Sequence, residues 1–89
     1  MAMVGQDVEQ VQQLSNQLKQ KANEIEQIAN QLSNQLNNVQ WIGQDATQFR
    51  NAWTSTHVPA LRNVVNELNN AGATAQRNAQ SQTETSNTL

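Results

Sequence analysis

Apolar residues recur at helical spacing along the first half of the chain, and this pattern constrains the fold more than any other feature. One series falls at intervals of seven, and a second lies three or four residues away from it. The series are Val4, Val11, Leu18, Ile25, Leu32 and Val39, and then Val8, Leu14, Ala22, Ile28, Ala29 and Leu36. No proline or glycine interrupts residues 6–40. The pattern predicts one amphipathic helix over residues 6–39, preceded by a flexible N-terminus at residues 1–5.

A turn is predicted at residues 41–43, where the sequence reads Trp-Ile-Gly. Gly43 can adopt the positive φ that the end of a helix or a tight turn often needs. Asp45, followed three residues later by Gln48, has the spacing of a helix N-cap and its capping box. These residues predict that a second helix begins near residue 45.

The second helix is expected to run over residues 45–80. Pro59 lies inside its apolar pattern and predicts a kink or local break near residues 55–59, after which the helix resumes. Residues 81–89 are polar and show no apolar periodicity, so they predict a disordered C-terminal tail.

A helix end and a helix start this close together predict an antiparallel hairpin. Two amphipathic helices form only one layer, and a stable domain needs a second layer to bury its apolar faces. We therefore predict an all-α fold, a two-helix hairpin that dimerises into a four-helix bundle. The residues expected in the core or the dimer interface are Val11, Leu14, Leu18, Ile25, Ile28, Leu32, Leu36, Phe49, Trp53, Leu61, Val64, Val65 and Leu68.

Charge and composition exclude several classes of function. The 89 residues include five Lys and Arg and seven Asp and Glu, for a net charge of −2, so no basic surface for nucleic acid can be assembled. No apolar run is long enough for stable membrane insertion. The first residues also lack the cationic start and apolar segment of a cleaved signal peptide.

No residue has the setting of a catalytic group, and no cofactor or metal site is expected. There is no cysteine, and His57 is the only histidine. His57 is four residues after Trp53 and is interpreted as structural or exposed. Trp41 has two interpretations: its indole packs into the end of the bundle, or it stays partly exposed as one wall of a groove for a partner.

The central block resembles that of the WXG proteins related to the early secreted antigenic target (ESAT-like proteins), substrates of the type VII (ESX) secretion system. The similar residues are Trp41 to Phe49 followed by Trp53, between two long amphipathic helices. The resemblance covers residues from about 5 to 80. It implies a hairpin exported as a folded dimer, cytoplasmic before export and extracellular afterwards, without a cleaved signal peptide. The dimer would be a homodimer or a heterodimer with another WXG protein.

The same resemblance implies that Trp41 and Gly43 form half of a composite export signal read by the secretion ATPase. The other half in the family is a tyrosine followed four residues later by Asp or Glu, and this chain contains no tyrosine. Glu84 has Gln80 at that spacing. Either a companion chain supplies the tyrosine element, or a homodimer is recognised differently. After export the protein would act by binding, as a carrier, chaperone or effector; the alternative is a cytoplasmic helical oligomerisation or adaptor module.

Overall fold

The computed structural model describes residues 7–88, and every element in that part of the chain is helical. Helix α1 spans Val8–Asn38, α2 spans Gln44–Ala52, a π-helical turn spans Trp53–His57, and α3 spans Val58–Thr88. The predicted flexible residues 1–5 lie outside the described residues, as does Leu89.

The chain folds back on itself at residues 39–43, so that α1 packs against α3. The second arm of the hairpin consists of α2, the π-helical turn and α3. Ser15, early in α1, contacts Gly72 in α3. Ser33, late in α1, contacts Trp53 near the start of the second arm. The two arms are therefore antiparallel and form a rod of 67 × 17 × 15 Å. This confirms the all-α class and the helical hairpin predicted from the apolar spacing.

Helix α1 begins where an aspartate can cap it. The Asp7 side chain accepts a hydrogen bond of 3.1 Å from the backbone N–H of Gln10, which satisfies one of the amides that the first helical turn leaves unpaired. The helix then runs 31 residues, because its interior contains neither proline nor glycine.

The second arm is interrupted by the π-helical turn immediately before Pro59. Proline has no N–H, and its ring clashes with the carbonyl of the residue four positions earlier, which here is Ser55. In the π turn the N–H of Val58 bonds to the carbonyl of Trp53, five residues back. The wider turn accommodates Pro59 without ending the helix.

Helix α3 continues to Thr88, so the prediction of a disordered tail over residues 81–89 is wrong for residues 81–88; Leu89 lies outside the described residues. No proline or glycine follows Gly72, so nothing in the local chemistry ends the helix near residue 80. Gln82 is half-buried, and Thr83 Oγ1 donates to the Ala79 carbonyl at 3.0 Å. The apolar spacing of α3 ends at Ala79, before the helix does.

The tightest packing between the arms involves small residues. Ser15 is only 2 % exposed, and its hydroxyl donates to the Gly72 carbonyl at 2.7 Å. A Cβ placed on Gly72 would lie 3.2 Å from the Ser15 carbonyl and 3.1 Å from the Lys19 side chain. Any other residue at position 72 would require the Ser15 backbone or the Lys19 side chain to move by a few tenths of an ångström. The other buried residues are Ala22, Ala46, Val65 and Ala79.

One side of the hairpin carries an exposed apolar surface. An α-helix has about 3.6 residues per turn, so the exposed apolar residues of α1 lie along one edge of that helix, opposite the edge that carries Lys19. In α3, Val64 lies on the edge opposite Gln76. Because Lys19 and Gln76 are hydrogen-bonded at 2.8 Å on one side of the hairpin, the exposed apolar residues of both helices lie on its other side. We call this surface the apolar face; it comprises Leu14, Ile28, Leu32, Val39, Phe49 and Val64.

Candidate interaction site at the helix turn

Gly43 makes the turn possible through its backbone conformation. Its φ is +130°, the only positive φ among the described residues, and a Cβ there would meet no atom within 4 Å. Glycine is therefore required for the φ and not for space. The Gly43 carbonyl accepts from both the N–H and the Oγ1 of Thr47, each at 3.1 Å, which begins α2.

The predicted capping box at Asp45 and Gln48 is wrong. Gly43 is the N-cap of α2, and no side chain caps this helix. The helix begins at Gln44, so Asp45 lies in the first turn, past the position from which a side chain can cap. Its carboxylate there still interacts favourably with the positive end of the helix dipole.

Arg50 holds the turn together from the α2 side. Its Nε donates to the Leu36 carbonyl at 2.9 Å, its Nη1 to the Trp41 carbonyl at 2.9 Å, and its Nη2 to the Val39 carbonyl at 3.3 Å. The last carbonyls of a helix have no partner within it, and the planar guanidinium presents several donors at once to such groups. The same guanidinium lies 5.9 Å from the Trp41 ring centroid, in cation–π range.

Four rings form a cluster along α2 and the π turn. Trp41 lies 6.1 Å from Phe49, and the rings of Phe49, Trp53 and His57 lie 6.3 Å from one another. These separations are typical of favourable aromatic pairs. Trp53 also donates its indole N–H to Ser33 Oγ at 2.9 Å, which fixes the second arm to α1.

The end of the rod presents apolar side chains to solvent. Trp41 is 41 % exposed and Ile42 is 90 % exposed. Trp41 is nevertheless held by the Phe49 ring and by Arg50, so it has one packed side and one open side. Trp41 is interpreted from the sequence either as packed into the end of the bundle or as partly exposed for a partner, and its environment has elements of both.

The predicted interface residues divide into three groups by exposure. Val65 is buried. Leu14, Ile28, Leu32, Phe49 and Val64 are exposed on the apolar face. The half-buried residues, which line the contact between the two arms, are Val11, Leu18, Ile25, Leu36, Trp53, Leu61 and Leu68.

The arrangement is suited to binding another surface. Within residues 7–88 no group of three His, Asp or Glu side chains could hold a metal ion. In the same range, no helix is both long enough and apolar enough to span a bilayer. What the site offers is an ordered aromatic cluster and an exposed apolar end, features that are enriched in protein–protein interfaces.

Sequence reasoning missed Arg50, which positions this site, and the close contact of Ser15 with Gly72, which joins the arms far from the turn. Arg50 gave no signal, because its partners are backbone carbonyls on another helix. Ser15 and Gly72 did give one: Ser15 and Ala22 are spaced by seven, as are Gly72 and Ala79, and such small residues at heptad spacing are typical of close helix contacts.

The fold and site define a helical hairpin with an exposed aromatic turn. No family model, no curated protein and no solved structure matches this chain.

Proposed function

We propose that this chain is a small secreted WXG protein of the ESAT-like type, exported as a folded dimer by a type VII (ESX) secretion system. After export it acts by binding other proteins, as a carrier, chaperone or effector. The observation that carries the proposal is the turn: Trp41 and Ile42 are exposed at one end of the rod, and Arg50 holds the turn through three backbone carbonyls. A secretion ATPase would bind this ordered apolar end.

Dimer formation is supported by the amount of uncovered surface. The accessible surface is 6688 Å² for a chain of 9.9 kDa. A compact monomer of that mass is expected to expose about 5,200 Å². The difference, roughly 1,500 Å² per chain, exceeds the roughly 800 Å² that each partner buries in a standard protein–protein interface. The apolar face is the part of this surface whose burial would stabilise a dimer most.

A companion chain is favoured over a second copy by the absence of tyrosine. Because α3 continues to Thr88, Gln80 and Glu84 are one helical turn apart on the same side of that helix. This spacing supports the proposal that Glu84 is the acidic half of the family's signal, with Gln80 where the family has its aromatic half. A companion WXG protein would supply that ring.

A secretion assay tests the role of the turn. Trp41→Ala should abolish export while light scattering still shows a particle of roughly twice the chain mass. The matched control is Leu14→Ala, which truncates an exposed apolar residue on the apolar face, far from the turn. It should weaken the dimer and leave the turn intact, so any loss of its export should follow the loss of the dimer in light scattering, whereas Trp41→Ala should lose export with the dimer retained. Normal export of Trp41→Ala with an intact dimer would refute the signal role.

The same experiment distinguishes secretion from the alternative function, a cytoplasmic adaptor module. A cytoplasmic adaptor needs the apolar face and has no need of an exposed tryptophan at the turn. If the wild-type protein stays in the cytoplasm while Leu14→Ala alone disturbs its assembly, the adaptor function is favoured.

A further inference from the structure

A groove lies between the arms next to the π turn, on the side of the hairpin away from the apolar face. Its volume is about 310 Å³. The apolar part of its wall is formed by Leu36, Trp53, Val58 and Pro59, and two arginines, Arg50 and Arg62, complete it. A second copy or a companion that covers the apolar face would leave this groove open.

The groove is positively charged although the chain is negatively charged overall. Two of the five cationic residues line it, and no Asp or Glu does. Arg50 donates to three backbone carbonyls and forms no ion pair with a described residue, so no carboxylate neutralises it. Arg62 is exposed and makes no ion pair with any described residue. Cations gathered on apolar walls favour a ligand that carries a carboxylate beside apolar groups.

Two adjoining depressions along one seam favour an extended peptide over a compact small molecule. It adjoins a smaller depression of about 60 Å³ along the same seam between the arms, and the two share Ser33, Val58 and Arg62 in their walls. The smaller depression contains Glu26, which does not form an ion pair with Arg62. Asn37 and Thr54 add an amide and a hydroxyl to the larger wall, suitable for hydrogen bonds to a peptide backbone.

We propose that this groove binds an acidic peptide segment of a partner protein, with a Glu or Asp side chain at Arg62 and Arg50 and a neighbouring apolar side chain against Trp53. The site adjoins the turn through Arg50, but it includes neither Trp41 nor Ile42 and lies away from the apolar face. The inference therefore does not depend on secretion or on dimer formation.

The test is an NMR titration of the full chain with a blocked pentapeptide of sequence Ala-Leu-Glu-Leu-Ala, and with the same peptide carrying Gln in place of Glu. The two tryptophan indole N–H signals serve as internal reporters, because Trp53 lines the groove and Trp41 does not. The Glu peptide should shift the Trp53 signal in a saturable manner and shift the Trp41 signal less, because Trp41 is outside the groove and is coupled to it only through Arg50. The Gln peptide should bind more weakly.

Arg62→Gln should raise the Kd of the Glu peptide about threefold, the effect expected for one exposed ion pair. Its effect on the Gln peptide should be smaller. The matched control is Arg77→Gln, an equal change of charge on α3 outside the groove, where the guanidinium contacts only Thr74 at 3.2 Å. Three results would each overturn the proposal: equal binding of both peptides, an equal effect of the two arginine variants, or an unmoved Trp53 signal at millimolar peptide.

Discussion

Replacing Arg50 with glutamine should lower the free energy of unfolding by about 2 kcal/mol, more than any other exchange of a charged residue in this chain. The change removes three hydrogen bonds to the carbonyls of Leu36, Val39 and Trp41, together with the cation–π contact to the Trp41 ring. Glutamine is too short to reach all three carbonyls. It also carries no charge.

The magnitude follows from the surroundings of each contact. The bond to Leu36 is partly buried and contributes at the upper end of the usual range, about 1.5 kcal/mol. The bonds to Trp41 and Val39 are exposed, and water can replace the guanidinium there, so each contributes only a few tenths of a kcal/mol. For a chain of this size, a loss of about 2 kcal/mol lowers the Tm by roughly 10 °C.

Chemical and thermal unfolding followed by circular dichroism measure this loss. All variants must be compared at one protein concentration, because the apparent stability of any species that self-associates depends on it. Arg77→Gln is the control, since it removes the same charge and one exposed contact to Thr74. Arg50→Lys should recover only part of the stability, because a single ammonium cannot bond all three carbonyls. If Arg50→Gln and Arg77→Gln unfold within about 0.5 kcal/mol of each other, Arg50 does not hold the turn.

Three further variants test the contacts between the arms and a fourth is an exposed control, all by the same unfolding measurement. Gly72→Ala should destabilise by about 1 kcal/mol, because the clash with the Ser15 carbonyl exceeds alanine's better helix propensity; a more stable variant would refute the close approach. Ser15→Ala should cost about 1 kcal/mol through the lost bond to Gly72, and wild-type stability would contradict that bond. Trp53→Phe should lower the free energy of unfolding by a similar amount, because it removes the indole N–H that donates to Ser33. Ile42→Ser should change the free energy of unfolding by less than about 0.5 kcal/mol, because Ile42 is 90 % exposed.

The helices could be predicted from the sequence because their signal is local and repeated. The seven-residue spacing from Val11 to Val39 extends over five turns or more, so single weak positions such as Asn23 do not obscure it. The turn at Gly43 was predictable for the same reason, since a positive φ restricts the residue at one position.

The ends of the second arm were harder to predict, because two signals compete there. An Asp followed three residues later by Gln fits a capping box, yet the backbone of Gly43 begins the helix before Asp45 is reached. At the other end, the loss of apolar spacing after Ala79 was interpreted as the end of the helix, although apolar spacing reports only which residues face the other arm.

The site itself depends on contacts between distant parts of the chain, and sequence spacing does not reveal these. The aromatic cluster was partly predictable, since Phe49, Trp53 and His57 follow one another at intervals of four. The groove was not predictable, because Arg62 and Asn37 meet only once the arms are aligned.

The π turn has a consequence for changes in chain length. It places one extra residue in the second arm, so α2 and α3 belong to two helical phases that differ by one position. The π turn absorbs this residue, so deleting one residue such as Thr56 would convert the turn to regular α-helix and leave the facing of α2 and α3 unchanged. The deletion would bring the Pro59 ring against the carbonyl four residues before it. Adding a further residue there would instead rotate α2 by about 100° relative to α3, which would turn Arg50 away from the Leu36 carbonyl while Val65 kept its place. The faces of the second arm are therefore less sensitive to the loss of one residue at the π turn than to the gain of one.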